Sequence, residues 1–284
     1  MSDETLRCAA YIDKGGTGKT TSIAHFAASL AKDGYEVLAI DLAGKQNDLA
    51  KVFGVQTQIE EEDWPNVATT FQPEWEKVAE RIEQKFDEDP VGELVIETNE
   101  GVDLIPAHPA LDSLDIELES KYDGIEKYQR LNLFLDEYVD GQYDVVLLDL
   151  PGATNNVTYN GVWAAQHLLV PVRAGLLEAE QAEKLLSDLD DFRDTGREVN
   201  LTMLLPNMVS EHTKLGSRYL EEYEEQYPDT IAPEPIPDSQ DIPNTTADGK
   251  TIFAIEKGEL LSTAQTAREA YQANAAELIS RIQE

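Results

Sequence analysis

Apolar residues fall along this chain in short uninterrupted runs, separated by stretches where they recur at helical spacing. The runs at residues 6–12, 36–41, 168–172 and 201–207 read as strands. A fifth, Val145-Val146-Leu147-Leu148, is apolar at consecutive positions and ends on Asp149. That pattern suits a strand buried on both faces of a parallel sheet. Helical spacing appears in Ile23, Phe26, Ala27, Leu30 and Ala31, in Leu131, Phe134, Leu135 and Tyr138, and in Leu185, Leu186, Leu189 and Phe192. A last helix over residues 262–282 carries Ala and Leu inward and charges outward. The alternation predicts an α/β fold with a mostly parallel central sheet flanked by helices on both faces. No linker or internal repeat interrupts it, so residues 1–284 read as one domain.

Residues 55–100 fit this rhythm least and read as an acidic helical excursion. Glu60-Glu61-Glu62-Asp63 predicts a solvated face. Trp64, Phe71 and Trp75 read as its packing residues, because a base-stacking platform would want basic neighbours that this segment lacks. Leu94-Val95-Ile96 and residues 102–106 then read as strands around a turn at Gly101.

Between the first strand and the first helix stands Asp13-Lys14-Gly15-Gly16-Thr17-Gly18-Lys19-Thr20-Thr21. Strand, glycine-rich loop and helix in that order are the setting of a phosphate-binding loop. Glycines let successive backbone N–H groups curl around an anion, and the helix N-terminus adds unpaired donors and the positive end of its dipole. Gly15, Gly16, Thr17, Gly18 and Thr21 are the backbone candidates, Lys19 the cation for the outer phosphates, and the Thr20 hydroxyl a ligand for Mg²⁺. Asp41 and Asp149 each close an apolar strand, at the sheet edge where open α/β folds bind ligands. Both are candidate metal-site carboxylates. The natural guest is a nucleoside triphosphate.

The strict pattern G-x-x-x-x-G-K-[ST] fails, because Asp13 occupies the place of its first glycine. The wording Lys14-Gly15-Gly16-x-Gly18-Lys19-Thr20 instead resembles the deviant Walker A loop of the ParA/MinD family of P-loop ATPases. The resemblance implies a P-loop NTPase fold, ATP and Mg²⁺, and a homodimer that sandwiches two nucleotides. It implies that Lys14 crosses onto the partner's nucleotide and that Asp149 is the Walker B aspartate. Pro151-Gly152 resembles the second switch, with its second proline replaced. The first switch of the family reads Asp-x-Asp-Pro-Gln-Gly-Asn; here Asp41 and Asn47 match, while Ala43 replaces the second aspartate and Gly44 the proline. That aspartate supports attack of water on the γ-phosphate. Two readings follow: hydrolysis is very slow and the protein is a nucleotide-held dimer, or Asp41 or Asp48 positions the water. Lys14, Lys19 and Asp41 are accordingly the candidate catalytic residues. Asn207 falls where the family sets an asparagine against adenine. Residues 236–240 resemble the Ile-Pro loop over the other face of the base, making Pro237 and Ser239 the further adenine candidates.

Charge narrows the setting. A net charge of -34, from 56 acidic and 22 basic residues spread along the chain, strains a compact state unless salt screens it. A high-salt cytoplasm is the expectation. The N-terminus lacks a basic-then-apolar leader and no uncharged run approaches membrane-spanning length, so a cytoplasmic protein is expected. The single Cys8 excludes a disulfide framework and an iron–sulfur carrier.

The function expected is an ATP-driven dimerisation switch in chromosome or plasmid partition or in cargo positioning, triggered by a ParB-like or cargo-bound activator. The alternatives are a hydrolysis-impaired ATP-bound scaffold and an amide synthase related to the cobyrinic acid enzymes. The last would need substrate and glutaminase regions for which the chain has no spare length. Membrane targeting is disfavoured, since the C-terminal segment lacks basic amphipathic character. Little basic surface is available to DNA. Any such binding is expected to be weak and routed through Lys214 with Arg218, or Arg193 with Arg197, pairs one helical turn apart.

Overall fold

A computed structural model describes residues 5–44, 47–60, 64–86, 89–173, 187–210 and 214–284. Among them seven strands form one sheet: β1 (Leu6–Ala10), β2 (Val37–Asp41), β3 (Ile96–Glu97), β4 (Val102–Ile105), β5 (Val145–Asp149), β6 (His167–Arg173) and β7 (Asn200–Asn207). Their order is β3-β4-β2-β5-β1-β6-β7, parallel throughout except for β3. The helices in chain order are α1 (Lys19–Lys32), α2 (Asp48–Val52), α3 (Trp75–Phe86), α4 (Leu111–Lys121), α5 (Arg130–Phe134), α6 (Asn156–Ala165), α7 (residues 187–194), α8 (Lys214–Gln226), α9 (Asp241–Ala247) and α10 (Ser262–Gln283). The expected α/β architecture is the one observed.

The sheet divides the core in two. On one face Cys8 and Ala10 pack with Ile23, Phe26 and Leu30 of α1 and with Tyr271 and Leu278 of α10. On the other, Ala9 and Tyr11 pack with Ile40, Leu148, Leu131 of α5 and Val162 of α6. Every residue of β5 is buried, as its unbroken apolar run requires. Complete burial of a Leu or Ile side chain contributes about 1.5–3 kcal/mol, so these central strands anchor whatever stands at their ends. Burial pushes the Cys8 thiol up to about 12, and it behaves as a small apolar residue.

Register is what matters for the rest. β5 lies between β1 and β2, with Ala10 opposite Asp149 and Asp41 opposite Asp149. The loop after β1 therefore leaves the sheet at the level of both strand-terminal carboxylates.

The excursion between β2 and β4 differs in detail from its reading. Leu94 closes a single 3₁₀ turn, and the antiparallel strand beyond it spans only Ile96–Glu97. Gly101 makes the turn to β4 with φ +74°. Phe71 and Trp75 are buried, Trp75 meeting the Phe134 and Tyr138 rings edge-on at 5.3 and 5.8 Å. Trp64 is 62% exposed and is not a packing residue. It stands on the rim of a cleft of about 270 Å³ shared with Ile59, Leu94 and Pro106, because the excursion packs through Val67 onwards. Glu61, Glu62, Asp63, Leu185 and Leu186 lie outside the described residues. Among those described, no helix is long and apolar enough to cross a membrane.

The charge imbalance gives a stability prediction. Raising KCl from about 0.1 M to about 2 M should raise the melting temperature by well over 5 °C, because it screens repulsion among surface carboxylates. Differential scanning calorimetry checks this, and a flat or falling melting temperature would contradict it.

Candidate functional site

The loop after β1 bends back at once: the Lys14 N–H donates to the Ile12 carbonyl at 2.8 Å. Gly16 and Gly18 then adopt φ of +77° and +95°, the left-handed region that favours glycine. At Gly18 a side chain would also collide with the Asn207 amide, so the position is closed on two grounds. Helix α1 starts at the next residue with no side-chain cap, leaving its first N–H groups directed at the loop. Gly15 and Gly16 are exposed and Thr17 is buried.

Lys19 is only 9% exposed, and its Nζ arches over the loop to the carbonyls of Ile12 at 3.2 Å and Lys14 at 3.1 Å. Burial lowers its pKa, against the pull of Asp149 and Asp13. Thr20 donates its hydroxyl to Asp149 Oδ2 at 2.6 Å. The second Asp149 oxygen, Oδ1, is buried with no partner. Burial first, and the neighbouring Asp41 second, push the Asp149 carboxyl up to about 8. Asp41 is pushed up to about 6, again chiefly by burial. Its Oδ1 accepts from the Ala43 N–H at 2.9 Å and its Oδ2 from the Leu49 N–H at 3.4 Å, so it staples the loop that follows β2.

Lys19 and Thr20 line a cleft of about 730 Å³ at the carboxyl edge of the sheet. Residues 15–21 form its floor, Ala43, Asn47, Asp48 and Lys51 one wall, and Gly152, Met208 and Thr246 the others. Of the two candidates for a water-positioning carboxylate, Asp48 faces the cleft, paired with Lys51 at 3.0 Å, and Asp41 sits behind it. Lys14 is half-buried at the loop's start.

The adenine candidates are brought to this end of the sheet in unequal ways. Asn207 is 2% exposed, and both ends of its amide are engaged: Nδ2 donates to the Thr17 carbonyl at 2.9 Å and Oδ1 accepts from the Met208 N–H at 2.9 Å. It locks the glycine-rich loop to β7. Pro237 is bridged to Val209, and the Ser239 hydroxyl accepts from the Asp241 N–H at 3.3 Å at the start of α9. Both are buried, and neither lines the cleft.

Comparison with known proteins agrees with this geometry. A family model described as an AAA domain matches residues 7–203, more than two thirds of the chain. The chromosome-partitioning ATPase Soj of Thermus thermophilus is 27% identical over 280 residues, covering 98% of this chain and 97% of that protein. The chain belongs to the ParA/MinD family of P-loop ATPases. A longer protein of Sinorhizobium fredii is 29% identical over 212 residues, 70% of this chain, and the chain spans about half of it, 48%. Among solved structures, a cobyrinic acid a,c-diamide synthase of Mycobacterium smegmatis with a bound ATP analogue and magnesium superposes with a TM-score of 0.71. It is 23% identical, covering 96% of this chain and 93% of that one. That likeness shows the fold.

Within this ParA/MinD-type ATPase, the segment after β5, which resembles the second switch, touches Tyr11 at Thr154. The Tyr11 hydroxyl donates to Asp188 Oδ2 of α7 at 2.8 Å and lies 3.2 Å from the Thr154 hydroxyl. Sequence reasoning missed Tyr11, which directly precedes the loop in sequence, and Lys51 and Asp112, which the fold brings to the cleft. The basic pairs offered for DNA are mostly spent. Arg197 is part-buried and bonded to the Trp163 carbonyl, Asn132 and Gln166, so it is no surface cation. Arg193 pairs with Asp190 and Arg218 with Glu222, while the Lys214 side chain lies outside the described residues.

Two adjoining carboxylates whose folded pKa values lie above the unfolded ones favour the folded state at low pH and oppose it as pH rises through about 6 to 8. Asp149→Asn should therefore stabilise the nucleotide-free protein by about 1–2 kcal/mol at alkaline pH, shrinking towards zero near pH 4. Urea titrations across that range check it, and a variant less stable at alkaline pH would contradict it.

Proposed function

We propose that this chain binds Mg·ATP in the cleft and works as a nucleotide-dependent dimerisation switch in DNA partition or cargo positioning. The observation that carries the reading is the loop of residues 14–20. Its two left-handed glycines, its α1 N-terminus and its buried Lys19 all converge on the floor of one cleft, with a second lysine at its start. Backbone N–H groups there suit the oxygens of a triphosphate, and Lys19 would exchange its two carbonyl partners for them. That exchange would restore full charge to a lysine that burial now disfavours.

The residues present fit a magnesium ion. Asp149 Oδ1 is a buried carboxylate oxygen without a partner, and the Thr20 hydroxyl stands beside its twin. Oxygen donors of this kind are what Mg²⁺ takes, with water and phosphate completing its shell. When bound, the ion would neutralise charge on the phosphates and the carboxylates together. Asp149 and Thr20 would hold it; Asp41, with both oxygens on backbone N–H groups, would hold the first switch in place beside it. Asn207 would act on the base indirectly, by fixing the loop, with Met208 offering the surface next to it.

Switching would act through the contacts of the two loops. Among the described residues, the segment after β2 is tied by the Ala43 N–H to Asp41 and the Leu42 N–H to the Asp149 carbonyl, and the segment after β5 is tied to Tyr11 at Thr154. Loss of the γ-phosphate removes the shared partner of these loops and lets them relax, which is how such switches convert hydrolysis into a change of shape. The Soj relative is named as a chromosome-partitioning ATPase, which supports the partition role. A second reading, an ATP-held scaffold with scant turnover, draws on Ala43 alone.

Lys19→Ala should abolish Mg·ATP binding, while Lys14→Ala should bind nucleotide within about threefold of the unmodified chain and fail to dimerise. Titration calorimetry and light scattering in molar KCl read the two effects. Undiminished binding by Lys19→Ala, or an intact ATP-dependent dimer in Lys14→Ala, would contradict the assignment.

A further inference from the structure

A second cleft lies at the sheet margin, with β4, β2 and β5 between it and the strand that carries the glycine-rich loop. Val95 and Ile96, where the edge strand β3 begins, line a hollow of about 270 Å³ together with Ile59, Leu94, Pro106 and Trp64. That volume falls short of the roughly 300–1,000 Å³ of a small-molecule site and suits an inserted side chain. Asn66 and His108 also line it, but they turn polar atoms to their own loops. Asn66 Oδ1 accepts from the Ala68 N–H at 3.0 Å, and His108 Nδ1 from the Ala110 N–H at 3.1 Å.

Trp64 is the one exposed tryptophan of three; Trp75 and Trp163 are buried. Single exposed apolar side chains are ordinary on a protein surface. An exposed indole beside an apolar hollow is the arrangement of an interface anchor, where tryptophan is enriched. Charge then selects the occupant. Among the described residues, no lysine or arginine lines the hollow. Residues 52–76 and 86–120, which supply all of its lining, contain none in the sequence, while acids recur through both. Glu60, Glu93 and Glu97 of these stretches are exposed.

We propose that this cleft docks a lysine- or arginine-rich segment of a partner protein. One apolar side chain of that segment enters the hollow, and its cations meet the surrounding acids and the face of Trp64. An acidic partner is repelled, and a second copy of this chain, at a net charge of -34, is acidic. The inference is independent of the nucleotide reading. The bland role for Trp64, shielding the rim, would alter the melting temperature of a Trp64 variant and leave peptide affinity alone.

The test uses tryptophan fluorescence on the full chain, because acrylamide reaches Trp64 and not the two buried indoles. The probe is a synthetic peptide with one leucine flanked on both sides by lysines. One control peptide replaces the leucine by serine, and another replaces the lysines by serines. Titrations run at the lowest KCl concentration at which the chain melts above the assay temperature. The leucine–lysine peptide should protect Trp64 from acrylamide and bind tighter than either control by a factor of about five or more. By calorimetry it should bind Trp64→Ala weaker by the same factor or more. Trp64 is exposed, so the substitution leaves the core intact. Absence of binding, or a smaller factor in any of the three comparisons, would overturn the proposal. A nucleotide-free dimer that Trp64→Ala abolishes would give the cleft to a second copy and overturn it as well.

Discussion

The cleft depends on a register. Three parallel strands end level with one another, so that Ala10, Asp149 and Asp41 stand side by side at the carboxyl edge of the sheet. Hydrogen bonding between parallel strands sets this spacing, and the apolar burial of β5 on both faces keeps it from slipping. A shift of one residue would turn a carboxylate into the core and move the glycine-rich loop off its neighbours. Loop curvature, the Lys19 arch and the Thr20–Asp149 contact all follow from that alignment.

The same alignment carries a cost. Two carboxylates are placed in an apolar sheet next to each other, with one oxygen of Asp149 given no donor and Lys19 buried close by. Burial pushes both acids up, with Asp41 adding repulsion at Asp149 and Asp48 at Asp41, and burial pushes the lysine down. Such a site is poorly satisfied on its own and is well suited to a ligand that brings cation and anion together, as a magnesium-bound phosphate does. Elsewhere the fold is conventional: apolar residues in two layers, a His25 ring kept neutral by burial against Tyr271, and a surface crowded with acids.

Much of this was legible in the amino-acid sequence, for physical reasons. A phosphate loop has to use glycine where φ is positive and lysine where charge is needed, so it announces itself at residues 14–20. Val145-Val146-Leu147-Leu148 admits few environments other than a doubly covered strand, and it places Asp149 at the edge. What stayed hidden depends on contacts between distant segments. Asn207 could be placed near the site but not shown to hold Thr17, because that bond spans the sheet. Asp112 lies in a stretch with no distinctive pattern, and only the fold brings it to Gly44. Trp64 and Arg197 exchanged their expected places, the aromatic exposed and the cation part-buried, since composition does not reveal which neighbours a side chain meets.

The central claim is that the loop from Lys14 to Thr20 grips the triphosphate of ATP. A crystal structure grown with saturating Mg²⁺ and a non-hydrolysable ATP analogue tests it most directly. The account predicts phosphate oxygens on the backbone N–H groups of residues 15–20, Lys19 swung onto the outer phosphates, and a metal between Thr20 and Asp149. A loop left empty while the analogue sits elsewhere, or Lys19 still folded onto Ile12 and Lys14 beneath a bound nucleotide, would contradict it.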